Sequence, residues 1–316
     1  MREVSLITTF RWLKVSAPPG VYEIMPTVNI IVGDELVAKY LNAEFQKAAG
    51  EIEYQHFKQA NHLVVSLPEE VEYWDDFVSG EEILHCWMVW VDWALQDSWL
   101  VKDNCFISEV AYCRSKLSGE YRWSNNSLYT QASASDGDRQ RSVEFVESDI
   151  KYWSERLNSL RSHLDGKGYS ILTPVLSKKA TRFDRFLSFT QIARRSSTPA
   201  MKIAQMCSAL ESLFSTSTTE LTHRLSERVA FFAGENPEDK ELIYQLMKKA
   251  YGVRSQVTHG SHISSALSGL APELSSKLLD LLRKITFKVL EDPHSADVVY
   301  GDDEFIENHF RRCLFF

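Results

Sequence analysis

The sequence has few cysteines and no long apolar run. Its five cysteines are scattered and include no Cys-x-x-Cys pair, so the common zinc and redox motifs are missing and we expect reduced, mostly buried thiols. The most apolar stretch, Ile83 to Leu95, contains His85 and Asp92 and is far shorter than the roughly 20 residues of a membrane span. The amino terminus lacks a basic-then-apolar signal pattern, so we expect a cytoplasmic protein that does not engage a membrane.

Motifs of several enzyme classes are also missing. The chain has no Gly-x-x-x-x-Gly-Lys-Ser/Thr loop, no Gly-x-Gly-x-x-Gly turn and no His-Glu-x-x-His helix. The acid pairs Asp75-Asp76 and Asp302-Asp303 lie in polar stretches that are typical of a surface. We therefore expect neither a cofactor nor a bound metal.

The charge is unevenly distributed along the chain. A formal net charge of −8 argues against a protein that is coated for nonspecific nucleic-acid binding. The segment from Lys178 to Arg254, however, contains 13 Lys and Arg residues and 8 Asp and Glu residues, a local excess of five positive charges. This basic segment suits a local anion site, and a solvated helical surface is the alternative.

The first 140 residues mix two periodicities. Short runs rich in Val, Ile and aromatic residues predict strands, and longer stretches predict helices. The predicted strands are Val4–Thr9, Val28–Val32, Leu63–Leu67 and Val110–Cys113, and the predicted helices are Asp34–Ala49 and Gly80–Leu100. A region rich in Ser, Asn, Asp and Gly, from Ser124 to Arg141, marks the end of this part. We predict an α+β domain over residues 1–140, followed by a second domain over residues 141–316.

Four tryptophans, Trp87, Trp90, Trp93 and Trp99, lie in the second predicted helix. Large aromatic side chains at helical spacing are typical of a buried core, which is what we expect here. Stacking of these rings on nucleic-acid bases is the alternative.

From Ser142 onward apolar residues recur every three or four positions, the pattern of amphipathic helices. The predicted helices are 143–164, 179–195, 200–214, 220–232, 241–257 and 273–290. Short connections between them predict an antiparallel bundle, so the whole chain is expected to be mainly α. The apolar terminus from Cys313 to Phe316 is expected to pack onto the body or onto a second subunit.

Arg254 is the unusual residue of this bundle. It lies four residues after Ala250 and eight after Leu246, which directs it toward the apolar seam, where arginine is seldom buried without a partner. His259 follows five residues later, immediately before Gly260, a typical helix-end position that favours a protonated imidazole. Five residues on a regular helix separate two side chains by about 140°. Either the helix ends before His259 or the working pair comes from two chains, and we expect both.

Three segments of the second domain, 202–214, 220–230 and 250–260, resemble the Apea-like branch of the HEPN superfamily. The most diagnostic pattern is Tyr-x-x-Arg-Ser-x-x-x-His-Gly, which runs from Tyr251 to Gly260. Many HEPN ribonucleases have Asn, Asp or His directly after the arginine, whereas this chain has Ser255, as in the Apea-like branch. The resemblance covers residues 178–290, little more than a third of the chain.

The resemblance implies a helical bundle that dimerises and cleaves RNA without a metal. Arg254 would hold the scissile phosphate, and His259 would move protons between the ribose 2′-hydroxyl and the leaving 5′-oxygen. The expected product is a 2′,3′-cyclic phosphate. Bacterial members resemble toxins or abortive-infection factors in phage defence, so a neutralising partner or a phage trigger is also expected. The role of the first domain is left open, with a sensor of phage or stress signals and a substrate-selecting module as the two options. The alternative is a non-catalytic HEPN scaffold for dimerisation or nucleotide binding.

Four further residues receive supporting predictions. Glu211 is expected to orient Arg254 or His259, or only to neutralise the arginine. Ser255 is expected to donate to phosphate, or to bond to its own helix backbone. Arg224 and Arg228, one turn apart, are candidates for contacts to RNA phosphates, and salt bridges with Glu220 and Glu227 are the alternative.

Overall fold

The computed structural model describes residues 3–117, 119–127, 131–169, 174, 177–217, 221–260 and 265–315. The chain divides into two compact units, residues 1–132 with 140–158 and residues 133–139 with 159–316. This division differs from the single boundary predicted at residue 140. Residues 133–139 belong to the second unit because the carbonyl oxygen of Ser133 accepts a hydrogen bond of 3.0 Å from the buried Lys202 ammonium.

The first unit contains a six-stranded antiparallel sheet and a separate parallel pair of strands. The strands are β1 Glu3–Thr8, β2 Leu13–Ser16, β3 Gly20–Met25, β4 Val28–Val32, β5 Leu63–Ser66, β6 Ala111–Lys116, β7 Arg122–Asn126 and β8 Val143–Val146. The sheet order is β3-β4-β5-β1-β6-β7, and β2 pairs with β8. The four predicted strands are confirmed as β1, β4, β5 and β6, and the other four were not predicted.

The strand β8 corrects the prediction of a helix that begins at Val143. Its backbone pairs in parallel with β2, with Phe145 opposite Val15. Phe145 is fully buried, whereas Glu144 and Val146 on either side of it are exposed, which is the two-residue alternation of a strand.

The helices of the first unit are α1 Asp34–Tyr40, α2 Ala43–Ala49, α3 Glu51–Gln59 and α4 Gly80–Asp97, with 3₁₀ turns at Pro68–Trp74 and Ser98–Leu100. The helix predicted from Asp34 to Ala49 is broken because the Asn42 side chain accepts a hydrogen bond from the backbone N–H of Phe45 and starts a new helix. The tryptophan prediction is confirmed for Trp87 and Trp99, which are fully buried, and Trp90 and Trp93 pack partly buried against the same core.

His62 gives the first unit a pH-dependent stability. Its ring is completely buried, and Nε2 accepts a hydrogen bond of 3.3 Å from the backbone N–H of Phe10, so the folded protein holds the neutral form. Burial lowers the pKa of His62 from 6.5 to about 4. The unfolded chain therefore binds more protons between these values, and stability falls as the pH drops from 6.5 to 4.

We expect the free energy of unfolding of the first unit to fall by about 3 kcal/mol across this window and to level off below it. Urea titrations followed by tryptophan fluorescence at a series of pH values measure this slope. In a His62→Gln variant, whose side chain also accepts from the Phe10 N–H, most of the slope should vanish. An unchanged slope in that variant would assign the acid sensitivity to other groups.

The second unit is helical, and α5 begins in the first unit and ends in the second. The helices from there on are α5 Glu147–Gly166, α6 Arg182–Arg195, α7 Pro199–Phe214, α8 Leu221–Ala233, α9 Pro237–Thr258, α10 Ser265–Glu291, α11 Pro293–Tyr300 and α12 Asp303–Phe315. Five predicted helices correspond to α6 to α10, and α11 and α12 were not predicted. The chain is thus mainly α with an α+β first part. No helix in the described ranges has both the length and the apolarity to cross a bilayer.

The helix α7 lies at the centre of the second unit, where it packs against α6, α9 and α10. Its apolar face is fully buried through residues such as Ile203, Leu210 and Leu213. The last helix, α12, packs through the buried Ile306 and Phe310, whereas Phe315 is 74% exposed. The packing of the chain terminus thus involves residues earlier than the predicted Cys313–Phe316, of which Phe316 lies outside the described residues.

The ammonium group of Lys202, at the start of α7, binds backbone carbonyl oxygens. This residue is 2% exposed and donates to the carbonyl oxygens of Ser133, Ala193 and Arg194 at 3.0–3.1 Å. Two of these carbonyls belong to the last turn of α6, where the helix dipole favours a positive charge. The three donors of an ammonium group are thereby all used.

Candidate functional site

Arg254 lies on α9, facing α7, as its position in the apolar pattern predicted. Its Nη2 atom is 3.3 Å from both carboxylate oxygens of Glu211, which lies on α7. The side chains of Arg254 and Glu211 are 24% and 19% exposed, so the ion pair is neither fully buried nor freely solvated. The structure therefore brings together the predicted arginine and the acidic residue that was expected to orient it.

Tyr251 completes this contact and was missed as a site residue. The Arg254 guanidinium carbon lies 5.1 Å from the centroid of the Tyr251 ring, within the range of a cation–π interaction. Burial raises the pKa of Tyr251, and the charge of Glu211 and a hydrogen bond to it act in the same direction. The phenol therefore stays protonated next to the Glu211 carboxylate. The sequence contained a signal for this contact. Tyr251 lies three residues before Arg254, and residues three apart on a helix share one face.

Cys207 lies beneath this group, one turn before Glu211 on the same helix. It is fully buried, and burial together with the charge of Glu211 raises the pKa of its thiol. The thiol therefore stays protonated, and the buried side of the site is uncharged at this position. Surroundings of low polarity strengthen the interaction of Arg254 with an anion that binds from the exposed side.

His259 is exposed at the end of α9. The helix continues to Thr258, His259 is the C-cap residue, and its backbone N–H donates to the Ser255 carbonyl at 3.1 Å. Gly260 follows with a φ of +67°, the left-handed conformation that favours glycine after a helix. The helix end predicted at His259 and Gly260 is therefore confirmed.

The side chains of Arg254 and His259 are not in direct contact among the residues that the structure describes. Among the residues that it describes, no hydrogen bond or ion pair joins them, and the partners of Arg254 are Glu211 and Tyr251. Because α9 is regular up to Thr258, the two directions differ by about 140°, as the spacing alone implied. This separation favours a site in which the two groups that act on one phosphodiester come from two chains.

Ser255 follows Arg254 and is half-buried. Its carbonyl accepts the His259 N–H, and no side-chain hydrogen bond of Ser255 is recorded within the described ranges. Its hydroxyl is therefore available, and the predicted contact to phosphate stays a prediction.

Arg224 and Arg228 both contact Glu307 on α12, at 2.6 and 2.7 Å. The alternative to RNA contacts, salt bridges with Glu220 and Glu227, is thus wrong for Glu227, which lies 3.3 Å from His223. Glu220 lies outside the described residues, and the predicted contacts to RNA phosphates stay a prediction. Arg228 is 6% exposed and also donates to the Phe214 carbonyl at 2.6 Å, so it anchors the end of α7. Arg224 is more exposed and keeps part of its guanidinium open to solvent.

The last two observations concern a metal ion at the site and the similarity of the chain to known proteins. Within the described ranges, no three His, Cys, Asp or Glu side chains come together as they would around a metal ion. No family model, no curated protein and no solved structure matches the chain.

Proposed function

We propose that the second unit is a HEPN-type, metal-independent endoribonuclease in which Arg254 and His259 are the catalytic residues. The observation that carries the proposal is the pair of environments at the end of α9. A half-buried arginine is held by Glu211 and Tyr251, and an exposed imidazole caps the same helix. The bundle fold of this family and its RNA substrate enter through the resemblance of residues 178–290.

The recorded contacts of Arg254 leave it able to bind an anion. Its contact to Glu211 uses Nη2, while Nε and Nη1 have no partner among the described residues. A guanidinium with two open donors, fixed by a carboxylate and an aromatic ring, suits a phosphate that gains negative charge as the 2′-hydroxyl attacks. Glu211 and Tyr251 would act as positioning residues that hold this fork in place.

His259 would supply the proton transfers. A ring nitrogen of this exposed imidazole can take the 2′-hydroxyl proton and, once protonated, can give a proton to the leaving 5′-oxygen. The cleavage needs both roles. A homodimer would provide two composite sites, each with Arg254 from one chain and His259 from the other. The one His259 ring of each site would take the 2′-hydroxyl proton and then protonate the leaving 5′-oxygen. In this assembly the angle of about 140° between Arg254 and His259 on one helix is no obstacle, because the arginine and histidine that act together come from different chains.

We expect the purified chain to cleave transfer RNA or total RNA in the presence of EDTA and to leave 2′,3′-cyclic phosphate ends. The internal nucleophile is the ribose 2′-hydroxyl, so DNA and 2′-O-methyl RNA of the same sequence should stay intact. Gel analysis and mass spectrometry of the product ends provide the measurement. Cleavage of the 2′-O-methyl strand, or activity that EDTA abolishes, would contradict this mechanism.

The biological setting of the proposal is bacterial defence or toxicity, with a trigger or a neutralising partner that controls the activity. Expression in bacteria should then slow growth, and the effect should disappear when His259 or Arg254 is replaced. Growth curves of cells that produce equal amounts of each protein test this expectation.

The competing proposal is a non-catalytic scaffold of the same family. It is favoured by the ion pair itself, because Glu211 already neutralises Arg254, and an arginine–carboxylate pair between α7 and α9 is also a plain packing device. A scaffold predicts that wild type and the two variants are equally inactive on RNA while they retain the same oligomeric state. Size-exclusion chromatography with light scattering, run beside the cleavage assay, separates the two proposals.

A further inference from the structure

A pocket of about 260 Å³ lies between α8 and α12 of the second unit. Its polar lining consists of three arginines and two glutamates, and two phenylalanines provide its apolar surface: Arg224, Arg228, Arg311, Glu227, Glu307, Phe231 and Phe310. The side chains carry a net formal charge of +1, and Lys240 places a further ammonium 5.1 Å from the Phe231 ring. This positive charge favours an anionic ligand.

The pocket already holds one anionic group, the Glu307 carboxylate. Arg224 and Arg228 donate to it at 2.6 and 2.7 Å, and the Thr216 hydroxyl donates to it as well. Partial burial alone would raise the pKa of Glu307, but these hydrogen bonds and the charges of the two arginines outweigh it and lower the pKa to about 2. The surroundings of this carboxylate thus strongly favour negative charge.

Two of the arginines keep donors for a further anion. Arg224 is 32% exposed and contacts Glu307 through Nη2, and Arg311 is exposed and donates from Nη2 to Asn308. No other contact of either guanidinium is recorded among the described residues, so Nε and Nη1 of each are open. Two arginine forks on neighbouring helices match the oxygens of a phosphate group, and the adjacent phenylalanine offers an apolar surface for a base or sugar.

We propose that this pocket binds a nucleotide phosphate, with Arg224 and Arg311 as its ligands and Phe231 against the nucleoside. The volume of about 260 Å³ is at the lower end for small-molecule pockets, which suits one nucleotide unit. The phosphate comes either from a free mononucleotide or from one unit of a single-stranded RNA. Binding requires neither Arg254 nor His259, so the site stands independently of the proposed ribonuclease activity.

The test uses the full-length His259→Ala protein, so that the cleavage expected under the proposed function does not consume the RNA competitor. Isothermal titration calorimetry at low salt compares adenosine monophosphate, adenosine and inorganic phosphate. We expect the monophosphate to bind at least about tenfold more tightly than adenosine, because a charge-assisted contact is lost with the phosphate. Arg224→Ala and Arg311→Ala should each weaken monophosphate binding by about tenfold or more. Arg312→Ala is the matched control, since Arg312 is exposed on the same helix and lies outside the pocket lining.

The Glu307→Gln variant distinguishes a phosphate-binding site from ion pairs that only stabilise the fold. Removing the negative charge should tighten monophosphate binding by about fivefold, although the same change lowers the melting temperature because Arg224 and Arg228 lose their partner. A structural ion-pair network predicts only the loss of stability. If Arg224→Ala fails to fold, Arg311→Ala still tests the proposal. Arg311 bonds to Asn308 within its own helix, so its replacement removes no recorded contact between helices.

A short single-stranded oligouridylate, added as competitor, distinguishes the two sources of the phosphate. Displacement of the monophosphate in an Arg224-dependent manner identifies an RNA strand as the ligand, and lack of displacement identifies the free nucleotide. Equal affinity for adenosine and its monophosphate, equal loss in the Arg312 control, weaker binding in Glu307→Gln, or no binding at millimolar monophosphate would each overturn the proposal.

Discussion

Replacing His259 with alanine is expected to lower RNA cleavage by about 10²- to 10⁴-fold, the usual contribution of a general acid or base. The change should leave the fold intact. His259 is exposed, and its capping role uses the backbone N–H, which alanine also provides. Surface changes of this kind alter the free energy of unfolding by about 0.5 kcal/mol or less. Initial rates on transfer RNA in EDTA, measured beside a thermal melt, separate the two quantities.

His223→Ala is the matched control for this experiment. His223 is also an exposed histidine of the second unit, 61% exposed, and its contact is the surface partner Glu227. Its replacement should change neither the cleavage rate nor the melting temperature. Equal rates for wild type and His259→Ala, with a visible cleavage product, would assign the activity to another group and remove His259 from the site.

Mixing two inactive variants is expected to restore activity. Arg254→Ala and His259→Ala should each be inactive alone, because each lacks one catalytic group in both subunits. After subunit exchange, about half of the dimers contain one chain of each kind, and one of their two composite sites has both groups, so about a quarter of the wild-type rate should return. The physical reason is the geometry of α9, which separates Arg254 from His259 within one chain.

The contrary outcome is as informative. If both groups act within one chain, no mixed dimer contains a complete site and the mixture stays inactive. Arg254→Lys provides the folding control, since it keeps a positive charge beside Glu211 but loses the planar fork that would bind phosphate. It should retain the melting temperature of the wild type and still lose cleavage. Subunit exchange itself is checked with differently tagged chains in the same mixture.

The sequence predicts well the elements whose signal is local and repeated. The apolar stripes of α7 and α9 run over four turns or more, so the helices and the inward position of Arg254 follow from spacing alone. The strands β2 and β8 are four residues each and pair across more than a hundred positions of the chain. No local pattern encodes such a pairing, and Val143 therefore reads as the start of the helix that follows it.

The candidate site shows the same limit. Glu211 was predicted as the partner of Arg254 because both lie at the inner edges of long helices. Glu307 was not predicted as the partner of Arg224, since 83 residues separate them and no local spacing rule relates positions so far apart. The helical spacing rule offered Glu227 instead, which is a correct neighbour on the helix but not the nearest carboxylate in space.

The contact between Lys202 and Ser133 has a consequence for dissecting the protein. The chain enters the second unit at residue 133, returns to the first at residue 140 and leaves it again at residue 159. Each unit consists of two separate chain segments, so dividing the chain at one position cannot yield either unit complete. A fragment that begins at residue 141 carries the β8 strand away from β2 and leaves one donor of a buried ammonium without its acceptor. Functional work on the nuclease proposal must therefore be done on the intact polypeptide.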